Sequence, residues 1–260
     1  MSLDLLDLAR DIALEAGDLA RRRRAEGVSI AASKSTLADI VTEADREVEA
    51  LVRSRLAAER PGDGFLGEES DASDGTTGIT WVVDPIDGTV NYASGMPSYA
   101  VSIAAVRGAD RLAGVVRTPV LGETFVAARG EGAFVEAGGA RHRVRVSSEY
   151  PAGALIATGF GYDPATHAGD IETVQRVMPL ARDVRRIGAA AIDLGYVAAG
   201  RLDAFFERGL KPWDMAAGAL IVAEAGGAVL TLPADDFGRE MTIAAHPDLA
   251  QKIADRILPE

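Results

Sequence analysis

The chain has no cysteine, which excludes disulfides, thiolate zinc sites, iron–sulfur clusters and a cysteine nucleophile. Histidine is nearly absent, and His142, His167 and His246 lack metal-binding spacing and read as surface residues. Lysine is equally scarce, with Lys34, Lys211 and Lys252 set against 24 arginines. The longest apolar run, residues 215–223, falls far short of the ~20 residues that span a bilayer. No basic segment followed by an apolar stretch opens the chain, so the sequence predicts a soluble, cytoplasmic protein. Positive charge is also in deficit. With 27 Lys+Arg against 39 Asp+Glu, the net charge is −12, which argues against broad binding to nucleic acid or anionic membrane.

What is present suffices for a large core. A chain of 260 residues buries roughly 70–75% of its extended surface, as one α/β unit or two packed layers. Apolar positions at helical spacing predict a helix over 3–25 whose end carries Arg21–Arg24, where the macrodipole favours cations. A nucleic-acid patch is the sharper alternative for that run. Thr42 is placed to cap a helix over 43–59, with Asp45 in its first turn. A short buried strand at 65–67 runs into Glu68-Glu69, and a β-rich run at 79–83 stops at Asp84-Pro85. Antiparallel strands follow at 100–106, 113–117, 123–128 and 133–136, separated by glycine turns. Beyond them the pattern predicts helices at 189–199, 214–225 and 247–258, with strands at 204–206 and 228–230. With no repeat or long linker, this is an α+β chain in mixed layers.

The chemistry gathers where strands end. Glu68-Glu69 and Asp84-Pro85-Ile86-Asp87-Gly88-Thr89 place carboxylates at two strand termini. Crowded like charges repel and raise each other's pKa. A divalent cation removes that cost, and oxygen ligands without His or Cys point to Mg²⁺ rather than zinc. The bland alternative, solvated loop acids or helix caps, suits Glu69 better than Asp84 and Asp87. Gly88 and Thr89 can also open a helix and present backbone N–H groups to an anion. Thr158-Gly159-Phe160-Gly161 gives no dinucleotide signal, because no Gly-x-x-Gly completes it.

Glu68-Glu69, the hexapeptide from Asp84 to Thr89, and Trp213-Asp214-Met215-Ala216-Ala217-Gly218 match, in order and spacing, three signatures of the inositol monophosphatase family. The segment from Lys34 to Asp45 resembles the family's N-terminal lysine-to-aspartate stretch. The resemblance covers about residues 5–255 and implies a layered αβαβα sandwich of the inositol monophosphatase and fructose-1,6-bisphosphatase type. It is read as one unit over 1–260 with lobes near 1–150 and 151–260.

The resemblance also implies roles. Glu68, Asp84, Asp87 and Asp214 would hold metal, with the Ile86 carbonyl as a further ligand and two or three Mg²⁺ per site. Asp214 alone would read as a helix cap, and Asp45 alone as a first-turn acid. By resemblance, Asp45 and Thr89 orient and deprotonate water, and Lys34 lies near the metal-bound waters. Gly88 and Thr89 would bind phosphate. Asp87, Glu207 and the Gly188-Ala189-Ala190 segment would meet the substrate, the alternative for Glu207 being a solvated strand-end acid.

The implied activity is Mg²⁺-dependent hydrolysis of an inositol monophosphate by direct attack of water, in a lithium-sensitive homodimer. Phosphate monoesters need accelerations of up to ~10²¹, of which a general base supplies about 10²–10⁴, so most of the effect must be electrostatic. The cations also reconcile an acidic protein with an anionic substrate. Alternatives on the same fold are fructose-1,6-bisphosphatase, histidinol-phosphate phosphatase and phosphoadenosine-phosphate phosphatase. From a different class comes a non-catalytic partner of the transcription or ribosome machinery, for which Arg182, Arg185 and Arg186 are the candidate surface.

Overall fold

The leucine and alanine spacing near the N-terminus folds as a helix with one buried face. In the computed structural model, which describes residues 2–27, 30–33 and 40–258, helix α1 spans Ser2–Glu26 and buries Leu5, Ala9, Ile12, Ala16 and Ala20. Helix α2, Glu43–Glu59, starts at Thr42 with a reciprocal cap. Asp45 Oδ2 accepts from the Thr42 backbone N–H at 2.9 Å, and the Thr42 hydroxyl accepts from Asp45 N–H at 3.4 Å. This satisfies donors that a helix start otherwise leaves open. Strands β1 (Ile30–Ser33) and β2 (Ile40–Thr42) form an antiparallel pair before it.

Seven strands then make the larger sheet, paired in sequence order. They are β3 (Gly64–Gly67), β4 (Thr80–Asp87), β5 (Ala100–Arg107), β6 (Asp110–Thr118), β7 (Glu123–Ala128), β8 (Gly132–Ala137) and β9 (Ala140–Arg143). Only the β3–β4 pair is parallel. Helix α3 (Thr89–Ser94) follows β4 directly. The second sheet is built from β10 (Ala154–Thr158), β11 (Ala181–Arg185), β12 (Ala204–Arg208), β13 (Ala228–Leu232) and β14 (Met241–Ala245), in the order β11-β10-β12-β14-β13.

Helices α1 and α2 cover the outer face of the larger sheet. Helices α5 (Ala190–Ala198) and α6 (Pro212–Glu224) lie between the two sheets, while α4 (His167–Val177) and α7 (Pro247–Ile257) pack together, with α7 covering the far face of the second sheet. The result is the αβαβα sandwich. Alternation along β4 feeds two cores at once: Trp81 and Val83 join the core under α1 and α2, whereas Val82 joins the one under α5 and α6. Ile156, Phe206 and Ile243 fill a third core beneath α7. Gly114 lets α6 reach the sheet, since a Cβ there would stand 2.9 Å from the Ala217 carbonyl oxygen. Among the described residues no helix is long and apolar enough to cross a membrane.

One boundary differs in a way that matters. Strand β4 does not stop at Asp84 but continues to Asp87. Strand β3 pairs with β4 only as far as Gly67 opposite Val83. Beyond that point one edge of β4 is open, so Pro85, which has no N–H to give, is tolerated. On the other edge the register with β5 slips between Asp84 and Asp87.

Candidate active site

The end of β3 is what brings the first acids together. Because Gly67 stands opposite Val83 in a parallel pair, the next residues, Glu68 and Asp84, come side by side, Glu68 leaving β3 while Asp84 stays paired with Ser102 of β5. The register slip then turns Asp87 toward α5, where its Oδ2 accepts from Ala191 N–H at 2.7 Å. Asp84 Oδ1 accepts from Ile86 N–H at 3.1 Å. Asp214 arrives from the other half of the chain in the first turn of α6, its Oδ2 taking the Lys211 backbone N–H at 2.7 Å.

Glu68, Asp84, Ile86, Asp87 and Asp214 line one cavity of about 460 Å³. Gly88, Thr89, Gly188, Ala189, Ala190 and Glu207 line it too. Gly88 adopts φ +91° at the turn into α3 and Gly188 φ +86° before α5, conformations that favour glycine. Asp45 stands behind Thr89, whose hydroxyl lies 3.3 Å from Asp45 Oδ1 and 3.1 Å from the Ile86 carbonyl. Lys34 lies outside the described residues.

Electrostatically the cavity is under strain. Burial, then the charges of Glu68, Asp87 and Asp214, hold the Asp84 carboxyl well above its ordinary range. Asp87 is raised by burial and by Asp214, against the Ala191 hydrogen bond. Asp214 is raised by burial despite its bond from Lys211. Asp45 is pushed up to about 6, chiefly by burial, with Thr42 pulling the other way. Glu207 reaches about 8, from burial and from Asp214. Crowded hard-oxygen donors without His or thiolate suit Mg²⁺. Among the described residues no three acidic side chains already close on one point, so the fit lies in donor chemistry rather than a preformed cage.

Several lining residues carried no usable sequence signal. Gly159 is pressed against the Glu207 carboxylate, 2.0 Å from where its own Cβ would be. Gly161, Tyr162 and Arg239 complete that wall. Glu49, buried on α2, accepts from Glu69 N–H at 2.9 Å and fills the space that a side chain at Gly67 would take. It thereby fixes the acidic turn. Of the arginines of the candidate partner surface, Arg186 lines the cavity, while Arg185 is paired with Asp183 and Arg182 lies 3.9 Å from Asp203.

The pattern of the Inositol monophosphatase family matches residues 3–258. The chain is 44% identical to Inositol-1-monophosphatase SuhB of Mycobacterium tuberculosis, over 96% of this chain and 91% of that protein. A solved structure of Mycobacterium tuberculosis SuhB superposes with a TM-score of 0.84 at 43% identity, covering 98% and 96% of the two chains. Nus factor SuhB of Escherichia coli is 40% identical over 86% of this chain and 84% of its own. The chain therefore belongs to the inositol monophosphatase family, and it is a phosphatase.

Proposed function

We propose that the protein is a cytoplasmic, Mg²⁺-dependent phosphatase that hydrolyses inositol-1-phosphate to inositol and phosphate, working as a homodimer. The observation that carries this reading is the pairing of two unlike walls in one cavity. Glu68, Asp84, Asp87 and Asp214 crowd one side, and Glu207 stands on another with the amide-rich start of α5. The first suits cations and phosphate, the second a ring bearing hydroxyls.

Glu68, Asp84, Asp87, Asp214 and the Ile86 carbonyl would hold two or three Mg²⁺. When bound, these ions supply the positive charge that draws in the phosphoryl group and makes water a better nucleophile. Gly88 and Thr89 present the turn between β4 and α3 to the phosphate. Asp45 is fixed at Oδ2 by Thr42 and offers Oδ1 to Thr89. Thr89 has one hydroxyl proton, and donating it to Asp45 leaves its lone pairs open to a proton from the attacking water. Asp45 is the proton's final acceptor, and Lys34 keeps the role that the family resemblance implies for it, toward the metal-bound waters. The Glu207 carboxyl group exchanges hydrogen bonds with ring hydroxyls, and Asp87, Gly188, Ala189 and Ala190 complete the ring's seat.

Phosphate release should be measured with inositol-1-phosphate, fructose-1,6-bisphosphate, histidinol phosphate and adenosine bisphosphate, each with Mg²⁺ and with EDTA. Inositol-1-phosphate should lead in kcat/KM by at least about ten-fold, and EDTA should silence all four. Turnover that survives EDTA, or a clear preference for another ester, would overturn the assignment.

A further inference from the structure

Three loops that share no secondary structure build the wall around Glu207, and one side chain joins them. Arg239, in the loop between β13 and β14, spends four guanidinium N–H groups on two carboxylates. Its Nη1 and Nη2 donate to Asp170 at 3.0 and 2.8 Å, and its Nε and Nη2 donate to Asp235 at 3.0 and 2.8 Å. The Arg239 and Asp170 side chains are only 14% and 6% exposed, so this pairing is held away from bulk water. Asp170 Oδ2 also accepts from Gly161 N–H at 3.0 Å. On the opposite side, the Arg239 stem packs on Gly209, where a Cβ would fall 3.2 Å from Arg239 Cδ, and Gly209 N–H donates to the Glu240 carbonyl at 2.9 Å.

Gly159 lies two residues from Gly161, and Gly209, itself packed on Arg239, lies two residues from Glu207. Gly159 abuts the Glu207 carboxylate directly. Glu207 is thus flanked by two segments that Arg239 holds in place. Two carboxylates over-neutralise the one guanidinium, so Arg239 is not a phosphate anchor.

We propose that Arg239 is a positioning residue for substrate selection: it bolts the 159–162, 209–211 and 233–240 loops together so that Glu207 meets the hydroxyls of a polyol monophosphate. The inference rests on the phosphatase reading above and adds to it a residue that never touches the reacting atoms. Its signature is selectivity. Loosening the bolt should harm an ester recognised through its hydroxyls far more than one that offers none.

The test compares inositol-1-phosphate with 4-nitrophenyl phosphate in the full-length protein, using Arg239→Lys, which keeps the charge but loses the fork. The ratio of the two kcat/KM values should fall at least about ten-fold, mainly through KM for the polyol ester. Exchange at the Gly161 amide should quicken alongside. Gly161→Ala is a second, independent variant, because its Cβ would lie 2.6 Å from Arg239 Nη1 and 2.7 Å from Thr166 Oγ1, both movable side-chain ends. The backbone there needs no left-handed conformation, so this variant keeps the test alive if Arg239→Lys does not fold. A ratio that stays within about two-fold of wild type in whichever variant folds, with or without a lower Tm, reduces Arg239 to a structural part and overturns the proposal. Wild-type protein that hydrolyses neither ester defeats the phosphatase reading, and this inference with it. Wild-type activity on both, with variants moving in parallel, defeats the inference alone.

Discussion

Asp45 and Thr89, 44 residues apart, meet through a 3.3 Å contact between Oδ1 and the threonine hydroxyl. The other Asp45 oxygen is already used by Thr42 to start α2. One carboxylate therefore does two separable jobs.

Asp45→Asn separates them. An asparagine oxygen can still accept from Thr42, so the helix start should survive, with stability changed by less than about 1 kcal/mol. The proton acceptor is lost, and kcat should fall about 10²- to 10⁴-fold with KM little changed. Steady-state kinetics with urea unfolding checks both halves. A variant that loses stability and activity together would make Asp45 a capping residue only.

Asp84→Asn acts on the crowded acids. Removing one of several charges that raise each other's pKa should raise the Tm of the protein in EDTA while abolishing Mg²⁺-dependent turnover. Wild-type protein should gain Tm with Mg²⁺, and the variant should gain less. Li⁺ accepts the same hard oxygens at half the charge, so LiCl should inhibit wild-type phosphate release in the millimolar range, more deeply as substrate rises. NaCl at equal ionic strength should not. Equal rates in the two salts would remove the lithium-sensitive site from the reading.

Much of this was legible in sequence because local chemistry encoded it. Periodicity placed α1 and α2, and Asp-Pro-Ile-Asp-Gly-Thr announced the turn after β4. Strand β14 escaped because Met241–Ala245 is buried on both faces, leaving no alternation to read. The sequence pattern stops β4 at Asp84-Pro85, because nothing local reveals that β3 ceases to pair opposite Val83, two residues before the proline. Gly159 and Gly161 form no recognisable motif, since their contribution is the space they leave. The Arg239–Asp170 pair spans 69 residues, and only the folded chain brings it together.

Glu207→Ala should cost inositol-1-phosphate roughly 5- to 150-fold in kcat/KM, about 1–3 kcal/mol for a ring hydroxyl left without its buried partner. Turnover of 4-nitrophenyl phosphate should fall much less. Equal losses on both esters would assign Glu207 to the metal side of the cavity.

Asp63 gives a stability prediction away from the site. Burial pushes its carboxyl up, but Arg60, Thr77 and Trp81 outweigh that and hold it below its ordinary value. Trp81 Nε1 donates at 3.0 Å and Arg60 Nε at 2.8 Å. A lowered folded pKa means that the stabilisation is fully present above the unfolded value near 4 and is lost as pH falls through the folded one. Asp63→Asn should therefore cost about 1–2 kcal/mol at pH 7, allowing for water around Arg60. The gap from wild type in urea unfolding should narrow as the pH is lowered below about 4. A gap independent of pH would show that packing, not charge, is what Asp63 supplies.

The wall around Glu207 hangs on loops and a single arginine, whereas Glu68, Asp84 and Asp87 issue from strands whose flanks are the main core. Mutational drift can thus reshape one wall of the cavity while leaving the other intact. On the roles proposed above, a lineage that replaces Arg239 or lengthens the 233–240 loop changes which ester it seats without altering the acids assigned to cleave it, so substrate range is easier to change than reaction type.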